Sequence, residues 1–65
     1  MLTFNDLTLH CPEGLTLAEL LTEQGVNIEQ VATAVNGEFI PRTQRATTLL
    51  QPGDTVLTFQ AIVGG

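Results

Sequence analysis

The dipeptide Asn36-Gly37, set between Val31-Ala32-Thr33-Ala34-Val35 and Glu38-Phe39-Ile40, constrains the fold of this chain more than any other feature. A two-residue hairpin loop needs positive φ at both positions, which asparagine followed by glycine supplies, and the flanking β-compatible residues then pair over residues 31–40. A second cue of the same kind lies near the start. Leu2-Thr3-Phe4 and Leu7-Thr8-Leu9 alternate apolar and polar residues about Asn5-Asp6, which predicts a hairpin over residues 2–11. Pro12-Glu13-Gly14 ends it, because proline cannot donate to a ladder and glycine loosens the backbone.

Between the hairpins the spacing predicts a helix. Thr16 with Glu19 three residues on has the pattern of a capping box, Leu15 with Leu20 that of the hydrophobic staple around it, and the helix then begins at Leu17. Leu17, Leu20 and Leu21 share one face, Glu19, Thr22 and Glu23 take the wet side, and Gly25 is placed for a left-handed stop. Residues 41–46 read as a crossing loop or short helical turn and Leu49-Leu50 as a brief edge strand. Gln51-Pro52-Gly53-Asp54 has type II turn chemistry, and a last strand runs from about Thr55 to Ala61. With 65 residues there is room for one core, so these elements form one sheet with the helix packed on it, an α+β domain.

Composition narrows the function. Two arginines and no lysine against seven carboxylates give a net charge of −5, which excludes the cation cluster that nucleic acid or an anionic membrane surface requires. Such a charge is steered towards a protein with a basic docking face. The single Cys11 closes no intrachain disulfide, and there is neither a signal-like start nor an apolar run approaching the ~18 residues of a membrane span; cytoplasm is the expected compartment.

The order hairpin, helix, hairpin, turn and final strand running into Gly64-Gly65 is that of a β-grasp, or ubiquitin-like, domain. The run from Ala34 to Arg42 (Ala-Val-Asn-Gly-Glu-Phe-Ile-Pro-Arg), then Pro52-Gly53-Asp54-Thr55-Val56, then Ile62-Val63-Gly64-Gly65, resembles the ThiS family of sulfur carriers used to build the thiazole ring of thiamine. Each short motif is weak alone; their order and spacing over nearly the whole chain are specific. Many family members look to have an aromatic residue where this chain has Arg45. The resemblance implies a mixed sheet of four to five strands on one main helix over residues 1–61, with a flexible diglycine tail at 62–65. It also implies a protein cosubstrate rather than an enzyme: Gly65 would be adenylated by a ThiF-like enzyme using ATP and magnesium, converted to a thiocarboxylate with sulfur from a donor such as a cysteine desulfurase, and delivered to a ThiG-like thiazole synthase. No cofactor or metal is expected to be bound permanently. The small subunit of molybdopterin synthase and protein-conjugating modifiers look similar, and a β-grasp docking module without tail chemistry remains a further alternative.

Elementary chemistry agrees with such a role. A terminal carboxyl group, which ordinarily titrates at roughly pH 3.3 to 3.7, is ionised at neutral pH and is a poor acyl donor until a leaving group is attached. Glycine at 64 and 65 lets the chain thread a narrow channel, and Ile62 to Gly65, with Val63 between, would span about 13 to 14 Å when extended.

Docking needs a surface as well as a tail. Alternation puts Leu57, Phe59 and Ala61 on one face of the last strand and Val56, Thr58 and Gln60 on the other, and alone would bury Phe59. Matching to ubiquitin-like carriers backwards from the diglycine implies the reverse, with Val56 towards the helix and Phe59 outwards as a docking residue, Leu57 beside it. The resemblance thus favours Phe59 outwards. His10 and Cys11 fall on opposite faces of a strand and form no thiolate pair; a surface imidazole and a buried thiol are expected. Arg42 and Arg45 are read as solvated loop residues or contacts to a partner's carboxylate or phosphate, Glu19 and Glu23 as a wet helix face rather than a metal pair, Asp54 as a turn residue and Glu38 as an edge-strand charge.

Overall fold

The structure, a computed structural model, describes residues 1–60. Strands β1 (Leu2–Phe4) and β2 (Leu7–Leu9), helix α1 (Leu17–Glu23), strands β3 (Val31–Val35) and β4 (Glu38–Ile40), a 3-10 helix (Arg42–Thr47) and strand β5 (Thr55–Gln60) follow in that order. The five strands form one sheet in the order β2-β1-β5-β3-β4. The last strand is therefore the central one: β5 is parallel to β1 on one side and antiparallel to β3 on the other. This mixed sheet packed on one helix is the β-grasp arrangement.

Both hairpins turn as their residues require. Asn5 and Asp6 have φ of 47° and 52°, and Asn36 and Gly37 of 53° and 82°, the doubly positive turn whose twist matches that of the strands. Leu2 pairs with Leu9 and Phe4 with Leu7 in the first hairpin, Val35 with Glu38 and Thr33 with Ile40 in the second.

The helix starts at Leu17 behind a complete capping box. The Glu19 amide donates to Thr16 Oγ1 (3.1 Å) and the Thr16 amide to Glu19 Oε1 (3.3 Å), so two otherwise orphaned donors are satisfied. At the other end the Val26 amide donates to Leu21 O and the Gly25 amide to Thr22 O, both at 3.1 Å, with Gly25 at φ 70°. This is a Schellman stop, the conformation for which glycine lacks the usual steric cost. Leu17, Leu20 and Leu21 face the sheet and join Leu2, Phe4, Cys11, Leu15, Leu50 and Val56 in one core.

Leu49 and Leu50 do not form the expected edge strand. Thr16 and Leu49 make an isolated antiparallel bridge, in which Leu17 donates to Thr48 O (2.9 Å) and Leu50 to Leu15 O (2.8 Å). These bonds tie the segment to the start of α1 rather than to the sheet, and Leu50 reaches the core while Leu49 stays exposed. The 51–54 turn is as expected: the Asp54 amide donates to Gln51 O (3.1 Å), and Gly53 takes the φ of 93° that type II demands.

Candidate functional site: the outer face of the sheet and the end of strand β5

In β5, Val56 is fully buried (0% exposed) against the core, whereas Phe59 is 53% and Leu57 37% exposed. The strand thus turns Val56 to the helix and Phe59 outwards, the orientation the family resemblance implied and strand alternation alone would have reversed. Ala61, assigned to the same face, and the tail residues Ile62, Val63, Gly64 and Gly65 lie outside the described residues.

Register shows what surrounds Phe59. Leu57 pairs with Ala34 and Phe59 with Ala32 across β3, and Ala34 pairs in turn with Phe39 of β4. Directly opposed residues of antiparallel strands project to the same face, so Phe39, Ala34 and Leu57 form one row and Ala32 with Phe59 the next. Phe39 is 63% exposed, while Ala34, on the same outer face, is buried between its larger neighbours. Bulky side chains flanking two alanines give a shallow apolar trough along β3, the kind of exposed patch that marks a protein contact. Phe39 escaped the sequence reading. Its signal was present, since the two-residue Asn36-Gly37 loop alone fixes residue 39 opposite residue 34.

At the end of β5 the strand is held from both sides. Towards β1, the Thr58 amide donates to Asn5 Oδ1 and Asn5 Nδ2 donates to Thr58 Oγ1, each at 2.9 Å. Towards β3, Gln60 pairs with Val31.

The peptide carbonyl of Val31 accepts from Arg45 Nη2 (2.6 Å), Ile28 O accepts from Nη1 (2.9 Å), and Nε donates to the buried Thr33 Oγ1 (3.3 Å). Arg45 is only 5% exposed, which overturns its expected place as a solvated or partner-binding residue. A guanidinium carries a fixed fork of donors, and three carbonyl or hydroxyl oxygens clustered at the 28–33 segment use it without any carboxylate. Burial first, and the nearby Arg42 second, lower its pKa from the ordinary value, but arginine remains charged at neutral pH. Arg42 is exposed and pairs with Glu29 at 3.1 Å on the surface.

The remaining singled-out residues are structural or solvated. Cys11 is a buried free thiol and His10 is exposed. Asp54 Oδ2 accepts from the Gln51 amide (2.8 Å) inside its turn, and Glu38 stands exposed on the edge strand β4. Glu19 is spent on the capping box, and among the described residues no three His, Cys, Asp or Glu side chains converge. No helix among these residues is long and apolar enough to cross a membrane. A cleft of about 520 Å³ is lined by residues 11–14 and 49–52, none of which belongs to β5.

A central strand flanked by two hairpins, one capped helix on the inner face and an apolar outer face leading into the chain end define a ubiquitin-like β-grasp domain. Comparison with known proteins narrows the class: the chain belongs to the ThiS family, whose model matches residues 2–65. It is 40% identical over 62 residues to the sulfur carrier protein ThiS of Escherichia coli strain K12, covering 95% of this chain and 94% of that one. The crystal structure of the thiamine biosynthesis protein ThiS from Geobacter metallireducens superposes with a TM-score of 0.81 at 33% identity, covering 98% of this chain and 96% of that one. A solution structure of a thiamine biosynthesis protein from the same organism gives a TM-score of 0.74 at 33% identity, with 98% and 86% covered.

Proposed function

We propose that this chain is a sulfur carrier of thiamine biosynthesis, acting as a protein cosubstrate through the carboxylate of Gly65. One observation carries the reading: the family match extends through residue 65 and so includes the diglycine. The Escherichia coli relative that matches along nearly the whole chain, named a sulfur carrier, supports it. The buried Val56 and outward Leu57 and Phe59 support it, because they leave an apolar face contiguous in sequence with the reactive end.

The chemistry has three steps. A terminal carboxylate oxygen attacks the α-phosphorus of magnesium-bound ATP in an activating enzyme of the ThiF kind, a new P–O bond forms, and pyrophosphate leaves. The terminal sulfur of a persulfide, carried on a donor charged by a cysteine desulfurase, then attacks the acyl carbon of the adenylate; a C–S bond forms and the C–O bond to AMP breaks. A second thiol cleaves the S–S bond of the resulting acyl disulfide, leaving the donor and that thiol joined as a disulfide and Gly65 ending in a thiocarboxylate. That sulfur passes to a thiazole synthase of the ThiG kind. Ile62 to Gly64 thread the partner's channel, and the trough lined by Phe39, Leu57 and Phe59 docks against the partner's surface. No group of the chain itself acts as acid, base or nucleophile beyond the carboxylate.

Intact-mass analysis after incubation with ATP, magnesium, an activating enzyme and a sulfur donor tests the reading. The expected result is a sulfur-for-oxygen gain confined to the C-terminal peptide and lost on deletion of Gly65. An unchanged mass alongside a competent control carrier overturns it. A variant without Gly65 that still supports every activity of the full chain identifies a docking module instead.

A further inference from the structure

In a parallel ladder one residue both donates to the neighbouring strand and accepts from it two residues further along. Between β1 and β5 this pattern runs from the Thr3 amide on Asp54 O to the Asn5 amide on Val56 O, each at 2.9 Å. The next bond due is from the Thr58 amide to the peptide carbonyl of Asn5. At Asn5, however, φ is 47° and the chain has already entered the hairpin turn. The Thr58 amide donates to the side-chain Oδ1 of Asn5, and Nδ2 of the same carboxamide returns a bond to Thr58 Oγ1. The carboxamide stands in for the peptide group that the turn removes and lengthens β1 by one step. Beyond it, among the described residues, Phe59 and Gln60 are paired on the β3 side alone, with Ala32 and Val31.

Resting on the reading of Gly65 as the activated residue, we propose that Asn5 is a positioning residue for that activation: through Thr58 it fixes where and in what direction the chain leaves the sheet. Gly65 lies seven residues past Thr58, which among the described residues is the last position of β5 held from the β1 side. Asn5 acts on alignment of the carboxylate with the nucleotide, whereas the apolar face formed by Phe39, Leu57 and Phe59 governs docking. The two contributions separate kinetically: loss of alignment lowers kcat at constant KM, and loss of docking raises KM.

Asn5→Gly tests this, because glycine keeps the positive φ of the turn and removes only the carboxamide. ATP-dependent activation of the full chain by an activating enzyme is measured with hydrogen exchange at the Thr58 amide. The expected result is a fall in kcat of about tenfold at nearly constant KM, with faster Thr58 exchange. Asn5→Asp, which retains Oδ1, is expected to recover part of both, and Phe59→Ala to show the opposite split. An unchanged kcat in Asn5→Gly while Thr58 exchange accelerates overturns the proposal, as does a loss of kcat that only parallels a loss of folded protein. Should Asn5→Gly fail to fold, Thr58→Val removes one of the two bonds, and unchanged kcat there overturns it equally. If the unaltered chain is not activated at all, the reading of Gly65 falls and the positioning role with it; activation of the unaltered chain and Asn5→Gly at equal rates removes the positioning role alone.

Discussion

Asn36 and Asp54 join two turns eighteen residues apart, with Asn36 Nδ2 donating to Asp54 Oδ1 at 3.0 Å. Asn36 Oδ1 accepts the amide of Thr55 at 3.0 Å, and its own amide donates to Thr55 O at 2.8 Å. The second hairpin therefore holds β5 at its first residue, as the first hairpin, through Asn5, holds it at Thr58. Replacing Asp54 with Ala strips the acceptors of both Asn36 Nδ2 and the Gln51 amide. The expected loss is about 1 to 2 kcal/mol of unfolding free energy, read from urea denaturation, with the fold retained.

Thr16→Ala removes the side-chain acceptor of the capping box at the only α-helix among the described residues. A destabilisation of about 1 kcal/mol is expected, and Thr16→Ser should recover most of it. Thermal unfolding of the two variants side by side checks the order.

Arg45→Met keeps most of the side-chain bulk while leaving the carbonyls of Ile28 and Val31 without their donor. The expected cost is about 1 to 3 kcal/mol, because these part-buried acceptors lose a charged donor and water replaces it only in part. Arg45→Lys should restore only part of it, since one ammonium cannot reproduce the planar fork. By contrast Arg42→Ala breaks an exposed pair with Glu29 and should move stability by less than about 0.5 kcal/mol. Urea midpoints of the three variants test the contrast, and equal losses for Arg42 and Arg45 would refute it.

Phe59→Ala and Phe39→Ala are expected to fold normally, with stability altered by less than about 1 kcal/mol, while affinity for an activating enzyme falls about five- to thirtyfold. Calorimetric titration against the partner, with Val56→Ala as the unfolding control, separates docking from packing. Unfolding of the Phe59 variant would contradict its exposed position.

Local signals were legible and non-local ones were not. Asn5-Asp6, Asn36-Gly37 and the Thr16/Glu19 pair each specify geometry within four residues, so both hairpins and the helix start could be read directly. The central position of β5 depends on pairing with β1 some fifty residues away, and no short motif encodes that. Alternation showed that Leu57 and Phe59 share a face but taken alone put that face inside; the buried Val56 places it outside. The burial of Arg45 was hidden because its partners are a hydroxyl and two peptide carbonyls, groups that leave no charge pattern along the chain.

Of the described elements, β5 is the last to emerge from the ribosome, yet it is the one that joins the two halves of the sheet. A polypeptide that stops short of it keeps two separate hairpins, each too small to persist in water, with unpaired inner edges open to proteolysis. The outer apolar face exists only where β5 bridges the two hairpins, so a chain lacking that strand presents neither a single sheet nor Leu57 and Phe59 beside the residues of β3.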